Sequence, residues 1–129
     1  MDSLLGPIAQ ADHREVGGAS IDIVRVGSGR VGRVVYPPGF RWSTSLKPLV
    51  GTDHCRHAHV GFLARGHIKG TFADGCGFEF VAPAVVAIEA GHDAWVVGDE
   101  AAVLIQFDAE GETARRFGLD DEHRHPRRT

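Results

Sequence analysis

From Ile21 onward the chain alternates short apolar runs with turn signals. IDIVRV reads as a strand, GSG as a turn, and RVGRVVYP as a second strand ended by Pro37, Pro38 and Gly39. FRWS follows as a further short β segment, and a loop through Lys47 and Pro48 leads into a strand expected over Asp53 to Leu63. Beyond it come HIKGTFA, a turn at Asp74 and Gly75, GFEFVA, Pro83, VVAIE, Gly91, AWVV, a turn at Gly98 and Asp99, and AVLIQF. About nine short strands at this spacing predict an all-β sandwich or barrel. Residues 1–18, with Leu4, Leu5 and Ile8 beside Gly6 and Pro7, read as a short N-terminal arm. Residues 19–110 form the barrel. In 111–129, Glu112 to Phe117 has room for a helical turn or two, and DDEHRHPRRT is a polar tail in which His123 and His125 are solvated.

The chain has 129 residues and is 43% hydrophobic, enough for one domain with its own core and too little for two. Its 14 basic and 17 acidic residues give a formal net charge of -3, which leaves no footprint for nucleic acid or an anionic membrane. Met1 to Gln10 lacks the basic and apolar regions of an export signal, and no apolar run is as long as a membrane span. A cytoplasmic location is the expectation, with Cys55 and Cys76 as thiols. Cys76, in DGCG, flanks a turn. GSGRVG, Gly27 to Gly32, is a hairpin turn and not a phosphate loop, since neither a Lys-Ser/Thr pair nor a helix follows it.

Candidate chemistry concentrates in GTDHCRHAHVGFLARG, Gly51 to Gly66, which holds a thiol and three imidazoles within six residues. On a strand, Asp53, Cys55, His57 and His59 share one face with Gly61 and Leu63, while His54, Arg56, Ala58, Val60 and Phe62 take the other. A carboxylate, a thiol and two imidazoles on one face are the donors a divalent transition metal asks for. Without paired CxxC spacing, the remaining ligand must come from elsewhere or be solvent.

The order of these features, Val34 to Phe107, resembles the cupin family of small jelly-roll β-barrels with two metal-binding motifs. Counted forward from Gly51, the His-x-His pair of the first motif falls on His57 and His59, the glutamate position on Leu63 and the closing glycine on Gly70. Counted back from Gly66, the paired positions are Asp53 and Cys55 and the glutamate position is His59. Both registers keep Cys55, His57 and His59 on the inward face. In IEAGHDAWVVGDE, counting back from Gly98 puts the second-motif histidine on His92. PGFRWS, GTDHC, HVG and GHDAWVVGDE are also similar to a subgroup of small bacterial cupins with a cysteine near the first motif.

The resemblance implies a metal held by Cys55, His57, His59 and His92 or a subset of them. Zn²⁺ is the first choice for a thiolate beside neutral imidazoles, and Fe²⁺ suits the three imidazoles equally. The family's glutamate ligand is missing, so the chemistries of better-known members do not carry over. Two functions stay open: a metal-dependent enzyme acting on a small organic molecule, or a ligand or metal sensor with a saturated structural zinc. Asp53, Asp93 and Glu89 are candidate bases, no residue being assigned as catalytic. Tyr36, Phe40, Trp42 and Trp95 are candidates to line an apolar pocket, with barrel packing the equal alternative for Phe40 and Trp42. A homodimer through edge strands or the N-terminal arm is expected.

Overall fold

A computed structural model of the chain describes residues 4–26, 29–45, 47, 59–89 and 91–107. Within them the chain forms β1 (Asp12–Val16), β2 (Ala19–Val26), β3 (Gly29–Tyr36), a single helical turn α1 (Trp42–Ser45), β4 (His59–Arg65), β5 (His67–Phe72), β6 (Gly77–Val81), β7 (Ala84–Ile88), β8 (His92–Val96) and β9 (Ala102–Gln106). Two antiparallel sheets result, one in the order β1-β2-β3-β9-β4-β7 and one in the order β6-β5-β8. The all-β architecture expected from the sequence is therefore present. No described helix is long and apolar enough to cross a membrane.

Two details depart from the sequence reading. The segment read as an N-terminal arm supplies β1, because Gly17 and Gly18, with φ of 57° and 86°, close a two-residue hairpin that pairs Val16 with Ala19. FRWS does not form a strand. Arg41 makes one isolated bridge to Trp95, after which the chain turns into α1, where the Asp93 carboxylate accepts the Ser43 N–H at 3.0 Å. Phe40 and Trp42 then point into the core. The turn before β6 is as expected. Asp74 Oδ1 accepts the Cys76 N–H at 2.9 Å, and the Phe72 N–H donates to the Cys76 carbonyl at 2.8 Å.

The core fills the space between the sheets. Leu63, Val86 and Leu104 from the large sheet meet Ile68, Phe72 and Val96 from the small one, with Phe40 and Trp42 closing one side. Each of these side chains contributes about 1.5–3 kcal/mol by leaving water. On β4 the alternation is plain: Gly61 and Leu63 are buried, while Val60 and Phe62 face outward.

The outer face of the large sheet carries one continuous row across all six strands. His13 pairs with Asp22, Asp22 with Arg33, Arg33 with Ile105, Ile105 with Phe62, and Phe62 with Val85. Its first half is ionic, and the N-terminal segment lies against Arg33. Arg33 donates to Asp22 Oδ2 at 3.0 Å and to the carbonyls of Leu4 and Gly6 at 2.7 Å each. The second half is apolar, and Val85 is 79% exposed.

Candidate metal centre

His59 and His92 open strands in different sheets and meet inside the barrel. His59 begins β4 on the same face as Gly61 and Leu63, so its ring enters the interior. His92 begins β8 opposite Phe72 of β5 and is 2% exposed. The two ring centroids lie 5.0 Å apart with planes at 61°. Beneath them, Phe78 and Phe72 stand edge-on to His92 at 5.8 and 6.4 Å between centroids. One flank of the centre is thus dry and aromatic.

Each imidazole is held through Nδ1. His92 donates its Nδ1–H to the Glu89 carbonyl at 2.6 Å, a partner that can only accept. Its neutral ring therefore carries the lone pair on Nε2. His59 Nδ1 lies 2.7 Å from Gln106 Oε1, which fixes the same tautomer. An imidazole whose far nitrogen is hydrogen-bonded to a protein oxygen is the usual arrangement of a metal-ligating histidine, so this pair of donors fits a divalent transition ion.

Of the four candidate ligands, His59 and His92 are brought together, and Cys55 and His57 lie outside the described residues. Asp53 does too. Among the described residues no group of three or more His, Cys, Asp or Glu side chains is gathered closely enough to hold a metal. Asp93, a candidate base, is engaged elsewhere. On the opposite face of β8 it accepts from Ser43 N–H, from Ala94 N–H at 2.9 Å and from Arg41 Nε at 3.3 Å. Glu89 contributes its backbone carbonyl. Trp95 also faces away from the interior, with the Arg41 guanidinium 4.4 Å above its ring. Phe40 and Trp42 belong to the core, and Tyr36 packs against Phe40 at 4.8 Å between centroids.

Gln106 is the participant that reading the sequence missed. It lies 47 residues from His59, and only the pairing of β9 with β4 joins them. A shallow cleft of about 420 Å³ lies at the other end of the barrel, between Arg65, His67, Pro83, Asp99 and Glu100. Its one imidazole, His67, is bonded to Glu79, so the cleft gathers no set of ligands comparable to the histidine pair.

A further polar cluster, of the half-exposed His13 with Glu15, Asp22 and Arg33, adjoins the N-terminal segment through Arg33. His13 directs Nδ1 to Asp22 Oδ1 at 2.7 Å and Nε2 to Glu15 Oε1 at 2.9 Å. The hydrogen bond to Asp22, then that to Glu15, raises the His13 pKa above its ordinary value. Burial pushes the Asp22 carboxyl up, but the bonds from His13 and Arg33 together outweigh it and leave the pKa low. Arg33 Nε is buried and has no hydrogen-bond partner among the described residues.

No family model matches the sequence, and no curated protein does. Solved structures do match in fold. A Cupin 2 conserved barrel domain protein from Salinispora arenicola CNS-205 is 17% identical over 88% of this chain and 94% of its own, with a TM-score of 0.56. The cupin domain of Cnp3 from Schizosaccharomyces pombe is 13% identical over 87% of this chain and 78% of its own, with a TM-score of 0.53. A cupin-like protein from Thermotoga maritima is 16% identical over 73% and 70%, with a TM-score of 0.52.

Proposed function

We propose, for a chain whose fold is that of the cupins, that the barrel binds one divalent transition ion and presents it to a small organic molecule. The observation that carries this reading is the meeting of His59 and His92 inside the barrel, each with Nδ1 tied to a protein oxygen. Cys55 and His57, just before β4 in sequence, are the candidates for the remaining ligands. Zn²⁺ is the expected ion where the Cys55 thiolate takes part, and Fe²⁺ fits an all-imidazole set. When bound, such an ion supplies Lewis acidity, polarising a substrate oxygen or lowering the pKa of bound water.

The protein's own residues do the rest. Gln106 and the Glu89 carbonyl orient the two rings, and Phe72 and Phe78 keep water from the buried side of His92. Elemental analysis of protein purified without chelator tests the reading. About one transition ion per chain is expected, as for a metal that contributes to folding stability. Trace metal alone, together with no binding of added Zn²⁺ or Fe²⁺ and no rise in melting temperature, would refute it.

A further inference from the structure

Two glycines inside the barrel each stand opposite a side chain that reaches a histidine. On β4, Gly61 pairs with Gln106 of β9, and the backbones approach so closely that a methyl group at Gly61 would stand 1.8 Å from the Ile105 carbonyl oxygen. From β9, Gln106 reaches diagonally along β4 to His59, the inward-facing residue two positions before Gly61. On β5, Gly70 pairs with Phe78 of β6, and a methyl group there would stand 2.1 Å from Phe78 Cζ. The Phe78 ring occupies that space and abuts His92. In both sheets a glycine permits a close approach, of backbone at Gly61 and of the Phe78 ring at Gly70, and its cross-strand partner contacts a histidine.

We infer that Gln106 is the positioning residue of His59: its carboxamide oxygen accepts the Nδ1–H, fixes the ring's rotation and places the lone pair on Nε2. The use of that lone pair rests on the proposed metal centre; the hold of Gln106 on His59 does not. A neutral amide suits the task, because it selects one tautomer without bringing a charge beside the ring. Leucine at position 106 keeps the volume and removes the acceptor. Glutamate keeps the acceptor.

The tautomer of His59 can be read directly by long-range ¹H–¹⁵N correlation of the imidazole nitrogens in the metal-free full chain, at a pH where the ring is neutral. The His59 signals are assigned by their loss in His59→Gln. The Nδ1–H form is expected in the wild type and in Gln106→Glu, with loss of that preference in Gln106→Leu. Zn²⁺ affinity, measured by chelator competition, should fall about 10- to 100-fold in Gln106→Leu, the usual cost of losing the partner of a ligating histidine, and recover in Gln106→Glu. An Nε2–H signal in the wild type means that the amide is turned and donates to Nδ1, which overturns the assignment. An unchanged tautomer in Gln106→Leu overturns it as well, and an unchanged Zn²⁺ affinity there, where the wild type binds Zn²⁺, overturns its role in the metal centre. If the wild type binds no Zn²⁺ while the tautomer responds to Gln106→Leu, the metal reading falls and the hold of Gln106 on His59 stands.

Discussion

His59 and His13 lie in the same sheet, one facing the barrel interior and the other its outer surface, and their partners differ in one respect. Nδ1 of His59 meets a neutral amide, and that of the neighbouring His92 a neutral carbonyl. Both nitrogens of His13 meet carboxylates, and the nearer of these, Asp22, is shared with Arg33. Neutral oxygens aim a ring and leave a lone pair for use, whereas carboxylates on both sides ask for a second proton and turn the ring into a cation. What separates the candidate ligands from the ionic clasp is that His13 has carboxylates at both ring nitrogens, whereas a single acceptor at Nδ1, charged or neutral, is compatible with a ligating imidazole.

The largest expected effect breaks the comparison at the metal. His59→Ala and His92→Ala should each reduce bound metal to a trace, while His13→Ala should keep the wild-type content. Elemental analysis of the three purified variants checks this, and full retention in His59→Ala would exclude His59 from the centre. On the outer side, Asp22→Ala leaves the Arg33 guanidinium buried beneath the Leu4 and Gly6 carbonyls without its carboxylate. A loss of about 3–5 kcal/mol is expected by urea unfolding at neutral pH, with much of it recovered when Asp22→Leu is combined with Arg33→Met. A loss below about 1 kcal/mol would mean that the pair behaves as a surface ion pair.

The smallest effect is the pH dependence of the clasp. The raised pKa of His13 makes its contribution complete below the ordinary value of 6.5 and lost as pH rises through the higher folded value. The lowered pKa of Asp22 makes its contribution complete above 3.8 and lost as pH falls through the lower folded value. Both contributions are whole only between these two ordinary values. Urea midpoints of wild type and His13→Ala, compared from pH 5 to pH 9 or so, should differ most at the acid end and converge toward the alkaline end. A gap that does not change with pH would detach His13 from the clasp.

The face on which His59 lies was legible because strand alternation survives uncertainty in motif register: either count places His59 with Gly61 and Leu63. His92 was legible by its distance from the Gly98 turn, which closes β8. Gln106 was not, since AVLIQF gives no local sign of which strand lies beside it. DHREV carries no apolar alternation, so β1 becomes visible only through the Gly17–Gly18 turn and its pairing with β2. FRWS misled for the opposite reason. Phe40 and Trp42 alternate as strand residues would, yet both are anchors of a turn whose geometry is set by Asp93, some fifty residues away. Nothing near Asp22 and Arg33 in sequence announces their buried pairing, or that the Leu4 and Gly6 carbonyls lie against Arg33.

The row that crosses the large sheet from His13 to Val85 also bears on how copies of the chain can associate. At one margin β1 presents Asp12, His13, Arg14 and Glu15; at the other β7 presents Ala84–Ile88, without a single charge. Adding a strand at the β1 margin means dehydrating a mixed-charge rim. The β7 margin carries none of the charges that discourage strand addition. Two copies joined antiparallel through β7 would each use up their apolar margin and leave the charged ones outward, about 26 Å from the join at ordinary strand spacing. Such a sheet closes on a two-fold axis at twelve strands instead of propagating as a ribbon. In such an assembly the β1 rim, which includes His13 of the clasp, would stay outside the join.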